Sequence, residues 1–439
     1  MVAKKKQRTG TRTAASSRTP TAVRVHPYQV GFGDCFLVEF VYAKSSKFVL
    51  IDFGSTGAPR GAKATFLDDV AADIATTCGG HLEAIVATHR HNDHISGFTP
   101  GNGTASGDII RSLEPKLVVQ PWTEDPALAK RIVASAASND QKAFVNRLAD
   151  IHTVAGAVVH EATQLTALGM TNIGSELRFL GETNVPGTAA SENLRTMAPR
   201  TRYVRFGDKS GLEALLPGVR VTVLGPPTPK QMGTLRNHRT DETNKFWSFR
   251  ASLAKSLVGT GGFDPLYPDA PQLGAENAPP WARWIIPKLQ RARADELRGL
   301  VQTMDKELNN TSVILLFETG KIALLFPGDA QIESWAYALR KEAVRKRLAN
   351  VTLYKVGHHG SLAATPKSLW NLFAKRSAVP DAGRLRSVLS TLPGRHGRTW
   401  TGNEVPKITL LKALLKDSDL TSTHLSPRGR PIEPIEFET

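Results

Sequence analysis

Apolar positions along the chain alternate between short extended runs and stretches with helical spacing. The runs at 36–43 and 47–54 predict two strands joined by a polar turn. Residues 61–77 have the spacing of an amphipathic helix, which the glycine pair at 79–80 is expected to end. A further apolar run at 83–88 predicts a third strand. The N-terminal part therefore has the predicted order β-β-α-β.

The same criteria predict an alternation of strands and helices in the rest of the chain. Strands are expected at 116–122, 175–181, 219–227, 312–318, 321–329, 351–357 and 387–392. Helices are expected over most of 127–169 and at 331–348, 366–375 and 404–416. Two runs of strands, each interleaved with helices, indicate an α/β (α+β) protein in which two sheets pack face to face with helices outside.

Two segments do not fit this pattern. Residues 228–308 lack strand periodicity and have a middle rich in glycine and proline, and a loop of this length is usually functional or disordered. We interpret them as a lid-like insertion. Residues 1–21 are basic and polar, and we interpret them as a disordered tail that precedes a single domain over 22–439.

Composition adds limits on compartment and class. The chain is 41% hydrophobic and 22% charged, as globular proteins are, and its two cysteines agree with a reducing compartment. No apolar run is long enough to cross a bilayer, and the basic start lacks the apolar segment of a signal peptide. We therefore expect a cytoplasmic protein that does not enter a membrane.

The net charge is +16, and the acid-free first 33 residues hold only seven of the 56 basic residues. Most of the basic excess thus lies outside the tail. An anionic partner or substrate such as nucleic acid explains this excess, and solubility explains it equally well. The sequence leaves the oligomeric state open.

The segment THRHNDHISG (88–97) concentrates groups that bind metals. It places His89, His91, Asp93 and His94 directly after a predicted strand. A tight loop with this spacing can direct the first two at one ion and the last two at another. Imidazole nitrogens and carboxylate oxygens suit Zn²⁺, and also Mn²⁺ or Fe. We therefore predict a site for one or two ions, with zinc as the expected metal.

The segment from His89 to His94 resembles the H-x-H-x-D-H signature of the metallo-β-lactamase superfamily. Three further segments match the superfamily in the same order along the chain. LIDFG with Asp52 precedes the signature, and LLFPGDA with Asp329 and LYKVGHHGS at 353–361 follow it. The resemblance implies a four-layer αββα sandwich of two mixed sheets, with the metals in a groove at one edge. VGFGDCFLVEF, NNTSVILLF, PGDA and HHGS are most similar to the branch that includes the metallo-β-lactamase-like domain of the bacterial DNA-uptake channel protein and phosphorylcholine esterases.

The resemblance also implies roles for single residues. Asp329 bridges the two ions, His358 binds the second ion, and Asp52 supports the metal loop without binding metal. Because neighbouring residues at a strand end point in opposite directions, His359 is expected to face the substrate or brace the site. Asp34 either orients a metal-binding histidine or caps a turn.

One ligand of the family pattern has no match. The superfamily supplies a third histidine to the first metal from a Gly-His-Thr-like loop, which this chain lacks. His152, His160 and His238 lie in helical or inserted stretches, and we expect them not to be ligands. The first ion is then held by His89 and His91 with water or substrate, or it is absent.

Residues near two late turns are candidates for substrate contacts. The backbone N–H groups around Ser361 can hold an anion, although a plain turn explains them as well. Arg395, His396 and Arg398 belong to a loop that covers the active site in the branch named above. They can bind an anionic group, with surface solubility as the alternative.

The sequence thus predicts a metal-dependent hydrolase that uses activated water, with a phosphodiester as the expected substrate. Asp93 and Asp329 would hold the attacking water, and His359 or a second water would protonate the leaving group. Three alternatives stay open. The chain could hydrolyse a lactone, thioester or β-lactam, it could bind nucleic acid or a partner through a vestigial metal site, or it could be a di-iron redox protein.

Overall fold

The computed structural model describes residues 19–128, 189–233, 308–395, 404–425 and 432–439, with shorter helical pieces within 155–181 and 288–306. The strands in these ranges are β1 Ala22–Pro27, β2 Cys35–Tyr42, β3 Ser45–Phe53, β4 Ala84–Val86, β5 Leu117–Pro121, β6 Thr201–Val204, β7 Arg220–Gly225, β8 Ile314–Thr319, β9 Ile322–Phe326, β10 Leu353–Lys355, β11 Arg386–Leu389, β12 Asp419–Ser422 and β13 Ile435–Glu438. The helices are α1 Phe66–Thr77, α2 Asn92–Ile95, α3 Ser106–Ser112, α4 Ala189–Thr196, α5 Pro229–Gly233, α6 Ile332–Leu339, α7 Glu342–Leu348, α8 Lys367–Trp370 and α9 Ile408–Asp417.

The strands form two mixed sheets that share one plan. The first has the order β13-β1-β2-β3-β4-β5-β6, antiparallel from β13 to β3 and parallel from β3 to β6. The second has the order β12-β11-β10-β9-β8-β7, antiparallel from β7 to β9 and parallel from β9 to β12. The prediction of an α/β protein with two mixed sheets is confirmed.

The two sheets share a central apolar core. Alternate residues of β2, Phe36, Val38 and Phe40, point into it, as the two-residue period of a strand requires. The ring of Phe36 meets that of Phe326 in β9, with centroids 5.9 Å apart and an edge-to-face geometry. Residues from both sheets therefore interdigitate between the layers.

Helices cover the outer faces of both sheets. Ala71 and Ile74 of α1 pack with α3 and α4 against the outer face of the first sheet. Trp335 of α6 packs with α7, α8 and α9 against the second, and its indole N–H donates to Ala364 O at 3.1 Å. Because both faces of each sheet are covered, central strands such as β4 and β9 are continuous apolar runs.

The predicted strand at 175–181 is wrong, because the described positions in this range are helical. Its small and apolar residues share one helical face. Leu177 is fully buried, and Gly174 and Gly181 lie so close to Thr166 and Val159 that a β-carbon would overlap them. Contact with a neighbouring helix thus decides the conformation, and the local alternation is incidental.

Other differences concern boundaries and pairing. The helix predicted at 331–348 is two helices, α6 and α7, and the strands β1, β6, β12 and β13 were not predicted. β13 completes the first sheet by pairing with β1 from the far end of the chain. The predicted tail at 1–21 and the insertion at 228–308 fall largely outside the described residues.

None of the helices in the described ranges combines the length and the apolarity needed to cross a bilayer.

Replacing Phe36 with alanine tests the shared core. Because the ring is 1% exposed and contacts the opposite sheet, we expect Phe36→Ala to lower the free energy of unfolding by about 3–5 kcal/mol. Chemical denaturation measures this change. The control is Leu415→Ala on α9, whose side chain is 65% exposed and whose loss should cost no more than about 0.5 kcal/mol. Equal losses would contradict the proposed core.

Candidate metal centre

The metal loop, residues 88–95, leaves β4 and turns into the short helix α2. His91 has an extended backbone at the N-cap of α2, so Asp93 and His94 occupy its first turn. Gly33 and Gly54 let two other loops approach, since a β-carbon on either would lie within 2.7 Å of backbone atoms of the metal loop. Close backbone contact therefore fixes the position of the metal loop.

Asp52 holds the metal loop in place through hydrogen bonds. Its Oδ1 accepts a hydrogen bond from Thr88 N, and its Oδ2 accepts one from Thr88 Oγ1, both at 2.7 Å. The same Oδ2 lies 2.8 Å from His94 Nδ1. With His94 Nδ1 hydrogen-bonded to this carboxylate, His94 Nε2 faces the centre of the site.

Four ligand atoms from three separate segments converge beside the metal loop. They belong to Asp93, His94, Asp329 and His359, are all buried, and lie within 4.8 Å of one another. His359 Nε2 is 2.9 Å from Asp93 Oδ2, and His94 Nε2 is 3.1 Å from Asp329 Oδ2. Atoms bound to one tetrahedral Zn²⁺ are about 3.3–3.6 Å apart, so this set needs little movement to hold a divalent ion.

Two atoms of the cluster support this fit. Among the described residues, Asp93 Oδ1 is buried and has no hydrogen-bond partner, and the buried His94 Nε2 has only ion-pair contacts, the closest with Asp329 Oδ2 at 3.1 Å. Burying a polar atom without a partner is costly, and a cation at this position would remove that cost. The residues present therefore fit a divalent metal ion, although nitrogen and oxygen ligands of this kind do not choose between zinc, manganese and iron.

His89 and His91 form a second pair of imidazoles next to the cluster. His89 Nε2 lies 3.0 Å from His91 Nδ1, and the His89 and His94 rings are 4.1 Å apart. Burial lowers the pKa of His89 well below its usual value, and the neighbouring His94 and His91 lower it further. His89 is therefore neutral, which is the form that binds metals.

No third ligand joins this pair in the described part of the chain, where His, Cys, Asp and Glu form no metal-binding group with it. His160 is exposed on a helical stretch, and His152 and His238 lie outside the described residues.

The two adjacent histidines differ in how close they lie to the cluster. His359 is buried in the cluster, and its Nδ1 donates to Ser390 O at 3.1 Å. His358 lies at the rim, with its Nε2 4.0 Å from Asp329 Oδ2 and its side chain 19% exposed. The structure therefore places His359, and not His358, among the clustered ligand atoms, and the roles of both toward metal and substrate stay predictions.

The physical reason is the local backbone. β10 ends at Lys355, and both histidines lie in a 3-10 turn with positive φ angles of 46° and 49°. The alternation of side chains along a strand does not apply in such a turn. Instead, the backbone N–H of His358 donates to Asp329 Oδ1 at 3.0 Å, and the next ring enters the site.

Lys355 was missed by the sequence analysis. Its ammonium group is buried, contacts Asp34 Oδ2, and lies 3.6 Å from Asp329 Oδ1. Burial disfavours the charged form, but Asp34 and Asp329 outweigh it and raise the pKa of Lys355 above its usual value. A lysine inside the apolar run of a central strand was the available signal.

Burial and nearby opposite charges also act against each other on the pKa values of the cluster. Burial opposes the charged form of His94, but Asp329, Asp52 and Asp93 outweigh it and raise the pKa of His94. Burial likewise opposes ionisation of Asp329, and the nearby His94 and His358 outweigh it, so the pKa of Asp329 is lowered. Without a bound ion, the cluster is therefore held together by ionised carboxylates and imidazolium groups.

Two of the predicted substrate contacts, Arg395 and Ser361, lie in described residues and make contacts with backbone groups. Arg395 is exposed, donates from Nη2 to Thr56 O at 2.8 Å and packs over Gly57. The N–H of Ser361 donates to His358 O at 2.9 Å and closes the turn. His396 and Arg398 lie outside the described residues. Their roles toward a substrate stay predictions.

A cavity of about 300 Å³ adjoins the site on the side of His89. Residues along its wall include Arg90, Gln120, Thr123, Glu124, Asp125 and Arg195. Arg90 Nε donates to Glu124 Oε1 at 2.9 Å, so part of its charge is neutralised internally. The cavity offers room for part of a small molecule beside the metal loop.

Comparison with protein-family models finds no match for this sequence. A search of curated proteins also returns no match. The arrangement of side chains is therefore the basis for a functional argument.

Substitution of the two adjacent histidines tests the centre. Because His359 lies among the ligand atoms and His358 at the rim, we expect His359→Asn to weaken Zn²⁺ binding by more than about 100-fold. Loss of a group that only supports a ligand costs about 10–100-fold. His358→Asn is the matched control and should weaken binding less than about tenfold. Competition with a chromophoric chelator measures both affinities, and the reverse order would refute this placement.

Proposed function

We propose that the chain has the metallo-β-lactamase fold and is a metal-dependent hydrolase. The two mixed sheets, the helices on their outer faces and the candidate ligands at one edge support this proposal. The observation that carries it is the convergence of Asp93, His94, Asp329 and His359, which lie up to 266 residues apart in sequence.

Residues of the chain would perform distinct tasks in this reaction. Asp93, His94, Asp329 and His359 would hold one divalent ion, and His89 and His91 would help to hold a second beside it. When bound, such ions act as Lewis acids that activate water and polarise the bond to be broken. Asp93 and Asp329 would also orient the attacking water, and His358 would face the substrate from the rim.

The proposed substrate is a phosphodiester. The chain carries a net charge of +16, which attracts anions over long distances. Phosphoryl transfer to water is also a reaction that paired divalent ions support well, because they neutralise charge on the attacking and leaving oxygens.

A second candidate is hydrolysis of a small neutral ester or lactone. The cavity beside His89 favours it, because the carboxylates of Glu124, Asp125 and Glu192 outnumber the guanidinium groups of Arg90 and Arg195 in its wall. A wall with more acidic than basic groups would repel a phosphate group of a substrate and accept an uncharged group.

Replacing Asp329 with alanine tests the proposed chemistry. Because its Oδ2 faces both histidines of the cluster, we expect Asp329→Ala to lower kcat/KM for bis-p-nitrophenyl phosphate by about 10³-fold or more in Zn²⁺ or Mn²⁺. The control is Asp381→Ala, an exposed carboxylate in the connection before β11. Elemental analysis of both proteins accompanies the assay. Absence of bound metal together with unchanged turnover would refute the hydrolase proposal.

A substrate panel separates the two candidates. Bis-p-nitrophenyl phosphate and single- and double-stranded DNA and RNA are compared with p-nitrophenyl acetate and a γ-lactone. For a nucleic-acid substrate we expect log(kcat/KM) to fall linearly with log[salt], because binding then releases counterions. For a small neutral ester, kcat/KM should be nearly independent of salt. Turnover of the esters alone would favour the second candidate.

A further inference from the structure

Lys355 is a buried cation that the hydrolytic reaction does not use. It is the last residue of β10, and it is 2% exposed. Its Nζ contacts Asp34 Oδ2, lies 3.6 Å from Asp329 Oδ1 and donates to Gly328 O at 3.4 Å. Lysine is almost never fully buried unless it is paired, so these contacts are the reason that it can lie here.

Asp34 depends on this lysine for compensation of its charge. Two histidine nitrogens lie farther from its carboxylate, His94 Nδ1 at 3.6 Å and His359 Nδ1 at 3.8 Å. Each of these is already committed, the first to Asp52 Oδ2 at 2.8 Å and the second to Ser390 O at 3.1 Å. Removing Lys355 would therefore leave a buried carboxylate without a close partner.

The positive charge of Lys355 also affects metal binding, because other buried carboxylates lie near it. Four buried carboxylates lie around His94: Asp93 and Asp329 belong to the cluster, and Asp34 and Asp52 lie close to His94 on its Nδ1 side. A divalent ion held by the cluster and the ammonium group of Lys355 would both compensate Asp329, whose Oδ1 lies 3.6 Å from Lys355 Nζ. Each should then matter more when the other is absent.

We propose that Lys355 is the internal counter-cation of the centre, which lets the chain fold without bound metal and lowers the affinity for metal in return. This inference rests on the metal-binding part of the proposed function. It differs from a role in positioning Asp329, because Asp329 Oδ1 is held more closely by the N–H of His358, at 3.0 Å, than by Lys355.

The proposal is tested by whether removal of Lys355 strengthens or weakens the binding of metal. The experiment compares the wild type, Lys355→Met and the control Lys321→Met, an exposed lysine in the turn between β8 and β9. Each protein is stripped with a chelator, and its thermal unfolding is followed with and without excess Zn²⁺. Zn²⁺ affinity is measured separately by competition with a chromophoric chelator.

We expect metal-free Lys355→Met to have a Tm lower than that of the metal-free wild type by roughly 5 °C or more. Excess Zn²⁺ should reduce this difference by at least half, because the ion replaces the missing charge. The variant should also bind Zn²⁺ about tenfold or more tightly than the wild type. Lys321→Met should match the wild type in every measurement.

Three results would overturn the proposal. An equal loss of Tm with and without Zn²⁺ would mean that Lys355 contributes packing only. Weaker binding of Zn²⁺ by the variant would mean that it positions Asp329. If metal-free Lys355→Met does not fold, the double variant Asp34→Asn/Lys355→Met decides, since removal of the uncompensated carboxylate should restore a folded metal-free protein. Failure of this rescue would also overturn the proposal.

The metal-free measurements separate this inference from the proposed function. If the wild type binds no Zn²⁺ at all, the metal-dependent hydrolase fails. The loss of Tm in metal-free Lys355→Met and its rescue by Asp34→Asn would still test Lys355 as the partner of Asp34.

Discussion

Compensation of four carboxylates buried at one edge of the sandwich is the constraint on which the site depends. Asp34, Asp52, Asp93 and Asp329 are each less than a tenth exposed. Such groups stay ionised inside a protein only where hydrogen bonds and cations surround them. The imidazoles of His94 and His359 and the ammonium group of Lys355 supply part of that surrounding. The remaining unpartnered atoms point to a metal ion.

The fold makes this concentration of charge possible. The charged residues lie near the ends of strands: Asp52 and Lys355 are in the last two residues of β3 and β10, Asp93 and Asp329 follow β4 and β9, and Asp34 precedes β2. The apolar core between the sheets and the helices outside hold these strand ends rigidly. Rigid placement matters because ligand atoms must lie within a few tenths of an ångström of their positions before an ion binds.

The site and its surroundings support different parts of the functional proposal. The cluster of ligands argues for the reaction type, since activation of water by divalent ions needs these groups in this arrangement. The net charge and the cavity beside His89 argue for different substrates, an anion and a small neutral ester. The proposed reaction type therefore rests on distances between named side chains, whereas the proposed substrates rest on net charge and on the residues that line a cavity.

Sequence alone determined the elements whose signals are local. The apolar runs of β2, β3, β8 and β9 and the ligand-rich segment from His89 to His94 could be predicted, because each depends on neighbouring residues. Tertiary structure decided the rest. The described positions within 175–181, where a strand was expected, are helical because they pack against a neighbouring helix, and β13 pairs with β1 at the other end of the chain. It also placed His359 rather than His358 in the cluster and paired Lys355 with Asp34. Backbone turns and buried charge pairs arise from contacts between distant segments, which no local pattern encodes.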